Sequence, residues 1–192
     1  KRLGAVVEAT DLRPTARDQV ESLGGKWLDV PMSDDEKQKA ADAAKNGYGW
    51  MPGEQYIKDQ AAIVDKAVSN ADIVITTALL PGRDAPRLIR AETVAKMKPG
   101  SIILDMAVES GGNVEGSKCG ENVVTDNGVT ILGIPNIPAT VATEASALYA
   151  RNVFNFLETL FDADKNFVLN QEEEIQKALL VTHGGQVLLK RG

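Results

Sequence analysis

Residues 72–105 carry the sequence DIVITTALLPGRDAPRLIRAETVAKMKPGSIILD, in which two short apolar runs flank a helix-forming segment. The runs at 72–76 and 101–105 are predicted to be strands, and residues 91–97 are predicted to be a helix. Pro99-Gly100 is a strong turn signal directly before the second run. A strand, a helix and a strand in this order predict two parallel strands joined by a right-handed crossover.

The same alternation extends from this unit in both directions. Upstream, the apolar pattern predicts a strand over 5–10, a helix beginning at Pro14-Thr15, a strand over 26–30, and a helix that has Ile57, Ala61, Val64 and Val68 on one face. Downstream, it predicts short strands over 122–125 and 129–132 around an Asn127-Gly128 turn, then a long amphipathic helix over 140–161. The fold class predicted is therefore α/β, with a doubly wound, Rossmann-like parallel sheet covered on both faces.

Composition excludes several classes of protein. The chain has 192 residues, 25% charged and 43% hydrophobic, as expected of a folded globular protein. Its net charge of −6 argues against a general nucleic-acid binder, since phosphate contacts need clustered Lys and Arg. One cysteine, Cys119, and one histidine, His183, exclude an internal disulfide framework and a His-rich metal site, so no metal ligands are predicted.

Two segments depart from a complete alternating pattern. Lys1-Arg2-Leu3-Gly4 is typical of the end of a helix, with basic residues in the last turn and a glycine after it. This start suggests that the first strand and the Gly-rich loop of the sheet lay upstream of Lys1. The polar stretch 31–53 is longer than the usual connection of about 2–6 residues, and no helical period is evident in it.

Ligands of doubly wound sheets bind at the carboxyl ends of the strands, so the residues after each strand are candidates. Asp11 follows the first strand, where an acidic residue can accept hydrogen bonds from the ribose hydroxyls of NAD and repel a 2′-phosphate. The alternative is that Asp11 merely begins a turn. No G-x-G-x-x-G motif precedes it, and the glycines at 47, 49 and 53 have the wrong spacing for a phosphate loop.

Other strand ends carry weaker signals. Small residues at 76–78 would let a nucleotide approach the backbone, or they belong to an ordinary Pro-Gly turn. Asp105 and Glu109 could form a carboxylate pair for acid–base chemistry, but their spacing does not fix the distance between them. His183 and Cys119 lie in polar turns, where a catalytic role is the less favoured interpretation.

Four segments in one order resemble the NAD(H)-binding domain of proton-translocating nicotinamide nucleotide transhydrogenase. They are Asp11-Leu12-Arg13, the glycine-bearing insert with Gly47-Tyr48-Gly49-Trp50-Met51, residues 76–82, and residues 105–113. The resemblance runs from Lys1 to about residue 161. Alanine dehydrogenase shares some of these segments but lacks the insert, which resembles the mobile loop of the transhydrogenase. Gly49-Trp50 replaces a more polar pair of that loop.

The resemblance implies a function and its partners. The family reduces NADP+ with NADH and couples hydride transfer to proton movement across a membrane. By this resemblance the chain binds NAD(H), a partner domain or subunit binds NADP(H), a membrane domain carries protons, and the NAD(H) domain is a homodimer. The expected location is the cytoplasmic face of a bacterial inner membrane, or the matrix side in mitochondria. Residues 1–161 would be the second, NAD-binding lobe, and residues 162–192 a tail packing toward the first lobe.

The resemblance also assigns residues. Asp11 would bind the adenosine ribose with Leu12 and Arg13 beside it, and Leu79 would line the nucleotide pocket. Gly47 and Tyr48 would belong to the loop that closes over NAD(H). No residue of the chain is expected to be catalytic, because hydride passes directly between the two nicotinamides. The isolated chain is expected to be inactive.

Two other functions stay open at this point. One is an oxidoreductase similar to alanine dehydrogenase, acting on a small amino or keto acid with NAD, against which the insert argues. The other is a non-catalytic nucleotide-binding fragment.

Overall fold

The computed structural model describes residues 1–13, 15–44, 52–80 and 82–188. Contacts divide the chain into two compact units, Lys1–Pro135 and Asn136–Gly192. Among the described helices, none is long and apolar enough to cross a membrane.

A four-stranded sheet forms the centre of the first unit, in an α/β arrangement as predicted. Its strands are β3 (Ile73–Thr76), β4 (Ile102–Asp105), β5 (Asn122–Val124) and β6 (Thr130–Leu132), in the spatial order β3-β4-β6-β5. The first three in that order are parallel, and the antiparallel β5–β6 hairpin turns at the predicted Asn127-Gly128. Helix α4 (Ala91–Val94), in the crossover from β3 to β4, is shorter than the predicted 91–97.

One face of this sheet is buried. Val74, Ile103 and Ile131 are matched across the strands, and Ile103 and Ile131 are almost fully buried. Helix α3 (Glu54–Asn70) packs on this face with the side chains that the sequence places on one side, chiefly Val64 and Val68. The predicted period is therefore confirmed for Val64 and Val68, but it is wrong for Ile57, which is 50% exposed near the start of the helix.

The opposite face is exposed, contrary to the expectation of a sheet covered on both faces. Ile73, Ile75 and Ile102 are 67%, 60% and 37% exposed. The core side chains of α3 and α4, Val64, Val68 and Val94, pack in the same cluster as Ile103.

A second, two-stranded sheet precedes the first. Strands β1 (Glu8–Ala9) and β2 (Lys26–Trp27) are parallel and are connected through helix α1 (Thr15–Ser22). Both strands are shorter than predicted, because the pairing covers two residues on each strand, Glu8 with Lys26 and Ala9 with Trp27. Beyond these pairs, Lys26 N donates to Val7 O at 2.8 Å and Leu28 N donates to Ala9 O at 2.9 Å. No described strand pairs with both β1 and β3, so the two sheets remain separate.

The polar stretch 31–53 contains a helix that the sequence pattern did not predict. Helix α2 (Asp34–Ala44) begins with a capping box, in which Ser33 Oγ accepts from Glu36 N at 3.3 Å and Glu36 Oε2 accepts from Ser33 N at 3.0 Å. Ala40 is buried against Tyr56 of α3, with Leu12, Val30 and Met32 packed around them. These five side chains are called the Tyr56 cluster below.

The second unit contains α5 (Ala142–Thr159), which confirms the predicted long helix, and the short α6 (Glu174–Leu179). The side chain of Gln176 is buried and donates to Thr159 O at 2.7 Å. His183 lies in β7 (Thr182–His183), which pairs with β8 (Gln186–Val187), and it is exposed.

Candidate functional site

The loop after β1 folds Arg13 back onto Asp11. Asp11 Oδ1 accepts from Arg13 N at 2.8 Å and from Arg13 Nε at 3.0 Å, and Asp11 Oδ2 accepts from Arg13 Nη2 at 2.8 Å. Three donors of one residue thus bind one carboxylate. Since a carboxylate offers about four acceptor positions, room remains on Oδ2 for a further donor.

This contact favours the charged form of both groups. Burial raises the pKa of Asp11, but the hydrogen bonds and the positive charge of Arg13 together lower it more, so the pKa lies below its ordinary value. The hydrogen bond to Asp11, followed by its charge, raises the pKa of Arg13. Asp11 is therefore a carboxylate, not a carboxylic acid, near neutral pH.

A shallow hollow of about 300 Å³ lies beside this pair. It is bounded by the end of β1, the loop after it, one side of α1, and Trp27 of β2. The residues that line it are Ala9, Thr10, Asp11, Arg13, Ala16, Gln19, Val20, Leu23 and Trp27. We call this the Asp11 hollow; it combines apolar side chains with one carboxylate, Asp11, and one cation, Arg13.

Leu12 points away from the hollow into the Tyr56 cluster. It packs against the buried pair Ala40 and Tyr56, from the two helices that flank residues 45–51. The positions of Asp11 and Arg13 are thereby tied to α2 and α3. Tyr56 is 2% exposed, and burial, then the charges of Glu36 and Asp11, raise the pKa of its phenol.

Leu79 lies in the loop after β3, which Asn113 holds from the loop after β4. The Asn113 amide Nδ2 donates to Ala78 O at 2.9 Å and to Pro86 O at 2.8 Å, and its Oδ1 accepts from Ala78 N at 3.0 Å. Asn113 is fully buried, while Leu79 is 56% exposed. Asn113 thus fixes the backbone next to Leu79 and leaves that side chain facing outward.

Asp105, the last residue of β4, accepts hydrogen bonds from the backbone of the loop that follows it. Its Oδ1 accepts from Ala107 N at 3.0 Å and Asn113 N at 3.1 Å, and its Oδ2 accepts from Val114 N at 3.2 Å. Thr76 Oγ1 is 3.5 Å from Oδ1, at the limit of a hydrogen bond. Because Asp105 is fully buried and its oxygens are engaged by backbone donors, this arrangement does not support the acid–base role considered for it with Glu109.

The predicted site residues fall into three groups. Asp11 and Arg13 are in direct contact, and Leu12 connects them to the Tyr56 cluster. Leu79 is on a separate loop and, within the described part of the chain, it does not line the Asp11 hollow. Gly47 and Tyr48, with Gly49, Trp50 and Met51, lie outside the described residues.

Sequence reasoning missed Asn113 and Tyr56. Asn113 follows Gly111-Gly112, and this pair of glycines is the turn signal in the sequence that could have drawn attention to it. In the structure both glycines have positive φ. Tyr56 lies near the start of α3, one position before Ile57, with which the predicted apolar face begins. The structure buries Tyr56 and leaves Ile57 50% exposed, so the period indicated the wrong residue at this end of the helix.

Comparison with known proteins gives a consistent result. The family described as alanine dehydrogenase/PNT, C-terminal domain, matches residues 1–190. An NAD(P) transhydrogenase subunit alpha chain of Rhodospirillum rubrum is 49% identical over 189 residues, which are 98% of this chain and 48% of that protein. A crystal structure of transhydrogenase from Sinorhizobium meliloti is similar with a TM-score of 0.71 at 44% identity, covering 97% of this chain and 46% of the other.

A structure of L-alanine dehydrogenase is similar with a TM-score of 0.62 at 25% identity, over 97% of this chain and 45% of the other. The chain therefore spans about half the length of each of these relatives.

Proposed function

The chain belongs to the alanine dehydrogenase/PNT C-terminal domain family, and on that premise we propose that it is the NAD(H)-binding component of a proton-translocating transhydrogenase. The transhydrogenase relatives support this choice, because they are 44% and 49% identical to the chain over almost its whole length. The Rhodospirillum rubrum relative is named as an alpha subunit, which supports the proposal that this chain works with partner subunits. We infer that one partner binds NADP(H), that another conducts protons, and that the NAD(H) component forms a homodimer on the membrane surface.

The observation that carries the proposal is the carboxylate of Asp11 at the end of β1. It keeps acceptor capacity on Oδ2 and borders a hollow with an apolar wall, which fits the ribose and the adenine of a dinucleotide. Leu12 and Arg13 adjoin it, and Leu79 is proposed to line the nucleotide pocket from the neighbouring loop. Gly47 and Tyr48 are proposed to cover the bound nucleotide. NAD(H) supplies the hydride chemistry, and this chain supplies binding and orientation.

The pyrophosphate of the nucleotide needs hydrogen-bond donors, and we propose that these donors come from outside the 192 residues of this chain. In a dinucleotide-binding sheet, a Gly-rich loop and helix N-terminus follow the strand between β1 and β3. The separate two- and four-stranded sheets are consistent with a strand that pairs with both. We accordingly propose that residues 1–161 are the second lobe of a longer domain and that residues 162–192 pack toward the first lobe. A native mass well above 20.5 kDa is expected.

The direct test is calorimetric titration of the intact native protein with NADH and with NADPH. We expect NADH to bind more tightly, because a 2′-phosphate would meet the carboxylate of Asp11. Equal affinities would reject the assignment of Asp11. Hydride transfer is then measured as reduction of an NAD analogue by NADPH in the assembled complex, and the isolated chain of 192 residues is expected to give none.

An alanine dehydrogenase activity is the second candidate, favoured by the similarity to the L-alanine dehydrogenase structure. The α2 segment argues against it, as part of the insert by which the chain resembles the transhydrogenase. NADH formation that depends on added alanine would decide for this activity.

A further inference from the structure

The Asp11–Arg13 contact joins two groups with opposite preferences for a nucleotide. A carboxylate at the end of β1 accepts from ribose hydroxyls, whereas a guanidinium in the same place is suited to a 2′-phosphate. Arg13 directs Nε and Nη2 to the two oxygens of Asp11, at 3.0 and 2.8 Å, in a bidentate pair. The same fork of donors would fit a phosphate. In this structure the carboxylate occupies it.

Two other cations near this loop, Arg17 and Lys26, have different partners. Arg17 of α1 pairs with Glu21 at 3.2 Å and with Asp29 at 2.7 Å, and Lys26 of β2 pairs with Glu8 at 2.7 Å. Among the residues that line the Asp11 hollow, Arg13 is the cation, and its side chain is 55% exposed. Arg13 can therefore reach a ligand at the rim as soon as its carboxylate partner is removed.

We propose that Asp11 sets nucleotide choice in two ways, by repelling a 2′-phosphate and by occupying the guanidinium of Arg13 that would otherwise bind one. Arg13 is thus a latent 2′-phosphate receptor next to the ribose site. The proposal rests on the proposed NAD(H) binding at Asp11. It adds that Asp11 and Arg13 together determine which nucleotide binds. Loss of the carboxylate would therefore convert the site into one that binds a 2′-phosphate, instead of merely weakening NAD(H) binding.

The test is binding of two adenosine fragments, 5′-AMP and 2′,5′-ADP, to the intact native protein by calorimetry at low salt. The wild type is expected to prefer 5′-AMP. Asp11→Asn is expected to bind 2′,5′-ADP about tenfold or more tightly than the wild type does, on the scale of a charge-assisted hydrogen bond. The gain should decrease as salt is raised, because the contact is between exposed charges.

Two further variants isolate Arg13. Asp11→Asn combined with Arg13→Gln should lose the gain. Asp29→Asn is the matched control, since it removes a carboxylate from the Arg17 ion pair outside the Asp11 hollow, and it should leave the preference of the wild type unchanged. If Asp11→Asn lowers the amount of folded protein, Asp11→Ser serves in its place.

The outcomes separate this proposal from the one on which it rests. If the wild type binds NADH and Asp11→Asn gains no affinity for 2′,5′-ADP, the role of Arg13 is refuted and the proposed function stands. A gain that survives Arg13→Gln, or one that Asp29→Asn also produces, refutes it as well. If the wild type does not bind NADH, the proposed function fails, and this proposal fails with it.

Discussion

Gly112 passes so close to Asp105 that a Cβ atom on Gly112 would lie 2.6 Å from Asp105 Oδ2. The backbone there has a φ of +81°, a conformation in which glycine is favoured. The loop after β4 therefore wraps around a buried carboxylate at a distance that excludes any side chain.

Gly112→Ala is expected to destabilise the protein by more than the backbone strain alone. Gly120 is a matched control, because its φ is also +81° and nothing lies within 4 Å of the Cβ position. Gly120→Ala should cost about 1–2 kcal/mol of unfolding free energy for the left-handed conformation. Gly112→Ala should cost about 1 kcal/mol or more beyond that, since Asp105 must move away from its donors. Urea denaturation of both variants measures the difference, and equal costs would contradict the close contact.

Asn113→Ala is expected to lower the unfolding free energy by about 2–4 kcal/mol, because it leaves Ala78 N, Ala78 O and Pro86 O without their buried partner. Asn122→Ala, at an exposed position of β5, should change it by less than about 0.5 kcal/mol. Denaturant unfolding gives both values. The loss of order next to Leu79 should also weaken NADH binding, and an unchanged affinity would separate that loop from the nucleotide.

Tyr56→Ala is expected to destabilise the protein by about 3–5 kcal/mol, the usual cost of removing a buried aromatic ring. Ile57→Ala is the control on the same helix, because Ile57 is 50% exposed while Tyr56 is 2% exposed. Tyr56→Ala should in addition weaken NADH binding, since Leu12 loses the surface on which it packs. NADH titration under conditions in which the variant is folded checks this, and full affinity would show that Leu12 does not depend on the cluster.

The Asp11–Arg13 pair predicts a pH dependence. The pKa of Asp11 is lowered in the folded state, so the pair stabilises the fold above the unfolded pKa of aspartate and loses that contribution as the pH falls through the lowered pKa. Arg13→Gln should cost about 0.2–1 kcal/mol at neutral pH, as for other partly exposed pairs, and nothing once Asp11 is protonated in both states. Denaturant unfolding of both proteins between about pH 2 and pH 7 measures the difference. If Arg13→Gln still lowers the unfolding free energy near pH 2, the loss comes from packing of the arginine side chain and not from its ion pair with Asp11.

The elements with a clear apolar period were predictable from the sequence. The runs at 72–76 and 101–105 become β3 and β4 because their alternate residues fill a core, and α3 has Val64 and Val68 where the period puts them. Helix α2 was missed because a single described side chain, Ala40, is buried on it. Its signal was the capping box from Ser33 to Glu36, which requires no apolar residue.

Of the site, the sequence could predict only residues whose role follows from their position directly after a strand. Asp11 was identifiable because it follows a strand, and its ion pair with Arg13 depends on the shape of the turn. Asn113 binds the backbone of a residue 35 positions away, and only the folded crossover brings the two together. Contacts of this kind depend on tertiary structure, which a local pattern of residues does not contain.

The described residues of the first unit form two apolar clusters, one under the four-stranded sheet and the other around Tyr56. Because the clusters are separate, parts of the unit can open in solution independently of each other. Amide protons of β4 and β6, which lie over the larger cluster and have strands on both sides, should exchange with deuterium slowest. Those of β1 and β2, which are paired over two residues each, should exchange through a smaller opening that leaves β4 intact. A nucleotide bound at Asp11 would then slow exchange most in β1, α1 and β2 and least in β4, so occupancy of the site could be followed by comparing these segments of the backbone.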